Sequence, residues 1–154
     1  MFARPPAVVE NSRTMPAGRL GKTSDSHVDY SLARRSVLLA YRSGQVSKLD
    51  ICDAHPDLLR AARSMGESTN TDCPICDAGR LVLVSYVFSD ELPKRDNGQV
   101  WPRGDLAPLL KFGEVRLYTV EVCPDCSWNH LRSQLTMGRG RSRRTARRGN
   151  RAST

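Results

Sequence analysis

The chain has 154 residues, 39% of them hydrophobic and 6% aromatic, with a formal net charge of +8. That leaves room for one modest domain plus tails, with a lean core that a structural metal would supplement. The longest apolar stretch, Leu81 to Phe88, is too short to span a bilayer, and the first 30 residues hold no apolar run of signal-peptide length, so a cytoplasmic protein without a membrane partner is expected.

In chain order, residues 1–27 are rich in Pro, Ser, Gly and Arg without apolar periodicity, which predicts disorder. Residues 28–66 read as a helical cap of three short helices. Asp29 or Ser31 caps the first, which runs to Arg42 with Leu32, Ser36 and Leu39 on one stripe and Gly44 as its stop. Ser47 caps the second, through Asp53. His55-Pro56 opens the third, with Leu58, Leu59, Ala62 and Met65 apolar and Gly66 at its end. Three such helices also suit a helix-turn-helix, but a plain cap over a metal domain is the preferred reading.

Residues 67–137 read as a β domain. Leu81 to Phe88 is apolar on both faces, as a strand inside a small sheet would be. Pro93 to Gly98 reads as a loop and Asp105 to Phe112 as a short helix. Val115 to Val122 forms a second strand, and the alternation of Leu131, Ser133, Leu135 and Met137 with Arg132, Gln134 and Thr136 marks a third. Residues 138–154 carry seven arginines (Arg139, Arg141, Arg143, Arg144, Arg147, Arg148, Arg151) and no acid. They are expected to be disordered, and to attract nucleic acid without sequence preference by counterion release. A solubilising extension is the bland alternative. The rest of the chain carries 17 basic against 16 acidic residues, so the basic character belongs to the tail.

Two cysteine pairs carry the chemistry: Cys73-Pro-Ile-Cys76 and Cys123-Pro-Asp-Cys126. Each spacing can seat two thiolates on one tetrahedral cation, and together they complete a Cys₄ shell for one structural Zn²⁺. Proline inside each pair pre-sets the tight turn. The 46 residues between the pairs exceed the usual interval of about 15–20, which an inserted hairpin and helix would explain. In a reducing cytosol such pairs bind metal more often than they form disulfides, and the odd count of five cysteines argues the same way. Buried or redox-active thiols are the competing explanation.

Three further residues have ligand character. Cys52 and His55 share ligand spacing, and His130 follows Cys126 by four residues. One Cys₄ site needs none of them, so Cys52 is expected to lie on a helix and pack inward, His55 to cap or pack at a helix start, and His130 to be a surface group, or one backing the site, on the outward face of its strand. Trp128 is expected to shield it. No phosphate loop, metalloprotease helix or nucleophile elbow is present. A closed Cys₄ shell leaves no position for a catalytic water, so no catalytic residue or small-molecule substrate is assigned.

The runs Ser31-Leu-Ala-Arg-Arg, Cys52-Asp-Ala-His-Pro-Asp-Leu-Leu-Arg-Ala-Ala-Arg63, Cys73-Pro-Ile-Cys76, Tyr86-Val-Phe88 and Val120-Glu-Val-Cys-Pro-Asp-Cys-Ser-Trp-Asn-His-Leu131 resemble an uncharacterised family of small actinobacterial proteins with a domain of unknown function. The resemblance covers roughly residues 28–137. It implies an actinobacterial source and a cytosolic protein, and supplies no activity. Together these readings predict an α+β fold: a small zinc-ribbon-like antiparallel sheet with an N-terminal three-helix cap and basic tails. The leading function is a binding module for nucleic acid or a transcription or translation assembly. A protein-interaction adaptor using the helical cap is the second, and a thiol-based redox device or enzyme using Cys52, His55 and His130 the third.

Overall fold

A computed structural model describes residues 25–138. The expectations for residues 1–24 and for the arginine tail lie outside the described residues. The fold is α+β: β1 (Ser26–Asp29), α1 (Ser31–Arg42), α2 (Lys48–Ile51), α3 (Pro56–Met65), β2 (Glu67–Asp72), β3 (Arg80–Phe88), a 3₁₀ helix (Ala107–Lys111), β4 (Glu114–Val122) and β5 (Asn129–Gly138). The strands form one antiparallel sheet in the order β1-β5-β4-β3-β2.

Local chemistry fixes the helix ends largely as the sequence predicts. Asp29 Oδ1 accepts from the Ser31 amide at 2.7 Å, and Gly44 beyond the end of α1 has φ +76°, a conformation glycine adopts at little cost. Ser47 and Asp50 form a reciprocal capping box on α2, which stops at Ile51 rather than Asp53. Pro56 stands in the first turn of α3, and His55 Nδ1 accepts from the Asp57 amide at 3.1 Å.

Three expectations change. Ser26 and His27, placed by the sequence in the disordered segment, pair with Thr136 and Leu135 of β5. The helical cap is therefore flanked on both sides by strands of the same sheet. The stripe Leu32, Ser36, Leu39 faces solvent, with Leu32 72% and Leu39 57% exposed. The buried side of α1 is Leu38, supported by Val37 and Tyr41, and it includes Arg34, whose charge is met by a buried carboxylate. Finally, the alternation along β5 is broken by a register shift opposite Thr119 and Val120, where Ser133 pairs with Thr119 and Leu131 with Val120. Arg132 is thus the extra residue of a bulge.

Successive strand residues point to opposite faces. Val82, Val84 and Val122 pack with Ala61 and Ala62 of α3 on one face. The other face supports two clusters. One, Val87, Leu109, Val115, Leu117 and Met137, lies under the 3₁₀ helix. The other, Leu38, Ile51, Leu81 and Trp128, packs around two cysteines at the opposite end. Gly66 joins α3 to β2 where a Cβ would meet Val82 Cγ1 at 2.2 Å and the Ala62 carbonyl at 2.5 Å, so only glycine lets helix and sheet approach this closely.

Candidate metal centre

Each cysteine pair sits on a turn between antiparallel strands, and the two turns are built alike. The Cys73 amide donates to the Gly79 carbonyl at 2.7 Å, and the Cys123 amide to the Trp128 carbonyl at 2.8 Å. Four residues on from each, Asp77 and Ser127 donate their amides back to the Cys73 and Cys123 carbonyls at 3.2 and 3.0 Å. Both residues adopt positive φ, 53° and 68°, an uncommon conformation outside glycine. This repeated closure turns both sulfurs of each pair to one side.

The four Sγ atoms of Cys73, Cys76, Cys123 and Cys126 lie within 4.8 Å of one another. Cys73 and Cys126 are 3.5 Å apart, and Cys76 and Cys123 3.8 Å. Metal–sulfur bonds of about 2.3 Å in a tetrahedron require sulfur–sulfur edges of about 3.8 Å, so the group has the size of a metal shell. Among the described residues no cysteine forms a disulfide. Cys73 and Cys123 are fully buried and the other two partly so.

The thiols differ in acidity. Burial pushes Cys73 up to about 11 and Cys126 higher still. Burial acts on Cys76 as well, but hydrogen bonds from the Gly79 and Ala78 amides outweigh it and bring that thiol down to about 7.

Of the remaining candidates, His130 departs from the outward position expected of it: it stands opposite the buried Glu121 in the sheet, and its Nδ1 is buried. His55 is exposed and occupied in capping α3. His130 stacks on Trp128 with ring centroids 6.1 Å apart and a 14° tilt. Cys52 is closer to the centre than its sequence neighbourhood suggests: its thiol donates to Cys126 Sγ at 3.9 Å, although it stands outside the group of four. It belongs to a strap. The Ala54 amide donates to the Ser127 carbonyl at 3.1 Å, Asn129 Nδ2 to Asp53 Oδ1 at 3.0 Å, and Arg63 Nη2 to the Pro124 carbonyl at 3.0 Å. The Cys52-Asp-Ala-His-Pro run therefore latches the α2–α3 link onto the second cysteine turn.

Glu121 is the residue that sequence reasoning missed. Its carboxylate is wholly buried and accepts from Trp128 Nε1 at 3.0 Å, Arg34 Nε at 2.5 Å and Arg132 Nη1 at 2.8 Å. A glutamate in the apolar run Val120 to Val122 is the signal that pointed to it, because a buried charge needs partners. Its partners lie up to 87 positions away in sequence.

Among the described residues, no helix is long and apolar enough to cross a membrane. A family model described as a family of unknown function (DUF5318) matches residues 22–151, extending beyond residues 28–137 into both ends of the chain. Uncharacterized protein Rv0049 of Mycobacterium tuberculosis is 38% identical over 120 residues, which span 78% of this chain and 88% of that protein. Uncharacterized protein Mb0050 of Mycobacterium bovis matches with the same figures. No solved structure matches. The chain belongs to the DUF5318 family of unknown function.

Proposed function

We propose that Cys73, Cys76, Cys123 and Cys126 hold one structural zinc ion, and that the protein is a zinc-ribbon-like, non-enzymatic binding module acting on nucleic acid. The observation that carries this reading is the set of four thiols at tetrahedral edge spacing on two matching turns. An all-cysteine shell favours zinc, and four protein ligands leave no position for a reacting water. Its mycobacterial relatives support an actinobacterial source.

Two features support nucleic acid as the partner. The seven tail arginines, Arg139 to Arg151, provide sequence-indifferent attraction to phosphates. On the sheet, Phe88 and Tyr118 meet edge to face with centroids 5.6 Å apart and line a hollow with Arg116, a combination suited to stacking an unpaired base. The test is metal analysis and nucleic-acid binding on the purified full chain. One zinc per chain is expected, with loss of metal and of cooperative unfolding in Cys123→Ser. Full retention of zinc and of thermal stability in that variant would overturn the metal assignment.

A protein-interaction adaptor is the second reading, favoured by the exposure of Leu32, Leu39 and Leu49 on α1 and α2. Partners that co-purify from the native host after nuclease treatment and high salt, and are lost in Leu32→Ser/Leu39→Ser, would select it over nucleic acid.

A further inference from the structure

We infer that the cleft between α1 and β5 binds a phosphate-bearing ligand, either a nucleotide or the backbone of a nucleic-acid strand. The cleft has a volume of about 330 Å³ and is lined by Ser31, Arg34, Arg35, Leu38, Arg42 and Arg132. Four guanidinium groups thus surround one space. Among the described residues, the only carboxylate in an ion pair with any of them is Glu121, buried behind Arg34 and Arg132. Arg34 uses its Nε and Arg132 one Nη in those bonds, so each retains further N–H donors. Arg35 and Arg42 are exposed, and among the described residues neither has an ion-pair partner. Asp29, next to the start of α1, accepts from the Ser31 amide; hydrogen bonds from Ser31 and, to a smaller extent, the charges of His27 and Arg132 hold its carboxyl below the usual range, so it offsets part of the Arg132 charge.

This arrangement specifies the ligand's charge and geometry. Like charges gathered in a concave wall raise the local potential and attract counter-ions. Guanidinium forks match phosphate oxygens in bidentate geometry. Four of them exceed what one singly charged carboxylate can satisfy, whereas a phosphate offers more oxygens and up to two charges. The volume falls within the usual range for ligand sites, about 300–1,000 Å³, so the ligand extends beyond a single phosphate. Leu38 supplies an apolar wall for the rest of it. Glu121 holds two of the arginines in place before any ligand arrives, lowering the cost of ordering them on binding. In its nucleic-acid form the inference rests on the reading proposed above; in its nucleotide form it does not.

The test is calorimetric titration of the zinc-loaded full chain with pyrophosphate, a mononucleotide and a short single strand. Three proteins are compared: wild type, R35A/R42A, and the tail variant R139Q/R141Q/R143Q/R144Q/R147Q/R148Q/R151Q. Arg35 and Arg42 are exposed, so R35A/R42A should melt as wild type does. Pyrophosphate should bind wild type and the tail variant alike, and R35A/R42A about a hundredfold more weakly, roughly tenfold per lost guanidinium. For the strand, R35A/R42A should lower the log–log salt slope by about 1.4, two phosphate contacts at about 0.7 each. Pyrophosphate binding without strand binding would keep the cleft as a nucleotide site and refute nucleic acid as the partner. Strand binding that depends only on the tail would keep the nucleic-acid reading and refute the cleft as the strand's site, leaving it a nucleotide site if pyrophosphate binding still depends on Arg35 and Arg42. No response to any of the three anions, or equal binding of all three by R35A/R42A, would refute the cleft altogether.

Discussion

Replacing Glu121 with glutamine tests whether the buried carboxylate joins the helical cap to the cysteine corner. Glutamine keeps the shape but removes the charge, and it turns one acceptor into an NH₂ donor facing either a guanidinium or the indole N–H of Trp128. Breaking a buried pair by removing one partner costs about 3–5 kcal/mol. The lower end applies here, because the Arg34 and Arg132 side chains are 20% and 44% exposed and can recover part of their hydration. A cost of about 3 kcal/mol, at about 4 °C per kcal/mol for a domain of this size, lowers Tm by about 12 °C. The assay is thermal unfolding of the metal-loaded full chain followed by circular dichroism, with Asp57→Asn as control. Asp57 pairs with Arg60 where both side chains are more than two-thirds exposed, and such a pair contributes at most about 1 kcal/mol. If Glu121→Gln melts within about 2 °C of wild type, the carboxylate is not what fastens α1 to this end of the sheet.

Three further outcomes follow from the cysteine corner. Cys52→Ser should keep a full complement of metal, and Cys52 should alkylate slowly at neutral pH because burial raises its thiol pKa; zinc loss in that variant, measured by mass spectrometry, would make it a ligand. In the metal-free protein Cys73 and Cys126 have raised pKa values, so both are protonated at pH 7 and release protons when metal binds. Apparent affinity should therefore fall at least about a hundredfold for each unit of pH lost below 7, one factor of about ten for each of these two protons, with Cys76 adding to the slope as it protonates below about 7, and a chelator-competition slope clearly below about a hundredfold per unit would contradict this. Gly79→Ala places a Cβ 2.5 Å from Asp125 Oδ2 and 2.8 Å from Cys123 Sγ, so metal affinity should drop at least about tenfold through displacement of a ligand sulfur; unchanged affinity by the same competition assay would show that the corner yields at little cost.

The parts of the fold legible in the sequence are those set by local chemistry. The capping box at Ser47, proline at the start of α3 and the glycines after α1 and α3 act within a few residues. Strands β3 and β4 could be read because their apolar runs are continuous or alternating, whereas β2, Glu67–Asp72, carries no apolar pattern and was not. The pairing of the cysteines was legible because two residues between them is a constraint on one turn, and the four sulfurs lie together in the structure. What stayed hidden depends on contacts remote in sequence. Arg34 occupies an inward position on α1, so the buried side lacked an apolar signature, while Leu32 and Leu39 offered a false one. The strap from Cys52 to Ala54 touches residues more than 70 positions away. β1 is four exposed residues, whose place in the sheet is set by the β5 edge rather than by their own pattern.

Among the described residues the buried apolar contacts are divided among three small clusters, and the cluster under α1 and α2 includes Cys73 and Cys123 beside Leu38, Ile51, Leu81 and Trp128. A metal at that corner would cross-link the β2–β3 turn to the β4–β5 turn and supply the cohesion a lean core lacks. The second turn also receives the α2–α3 strap, and the residue ending it, Trp128, donates to Glu121. The same carboxylate holds Arg34 and Arg132 at the cleft. Helical cap, cysteine corner and arginine cleft therefore share one chain of contacts, which runs through Trp128 and the buried Glu121 carboxylate.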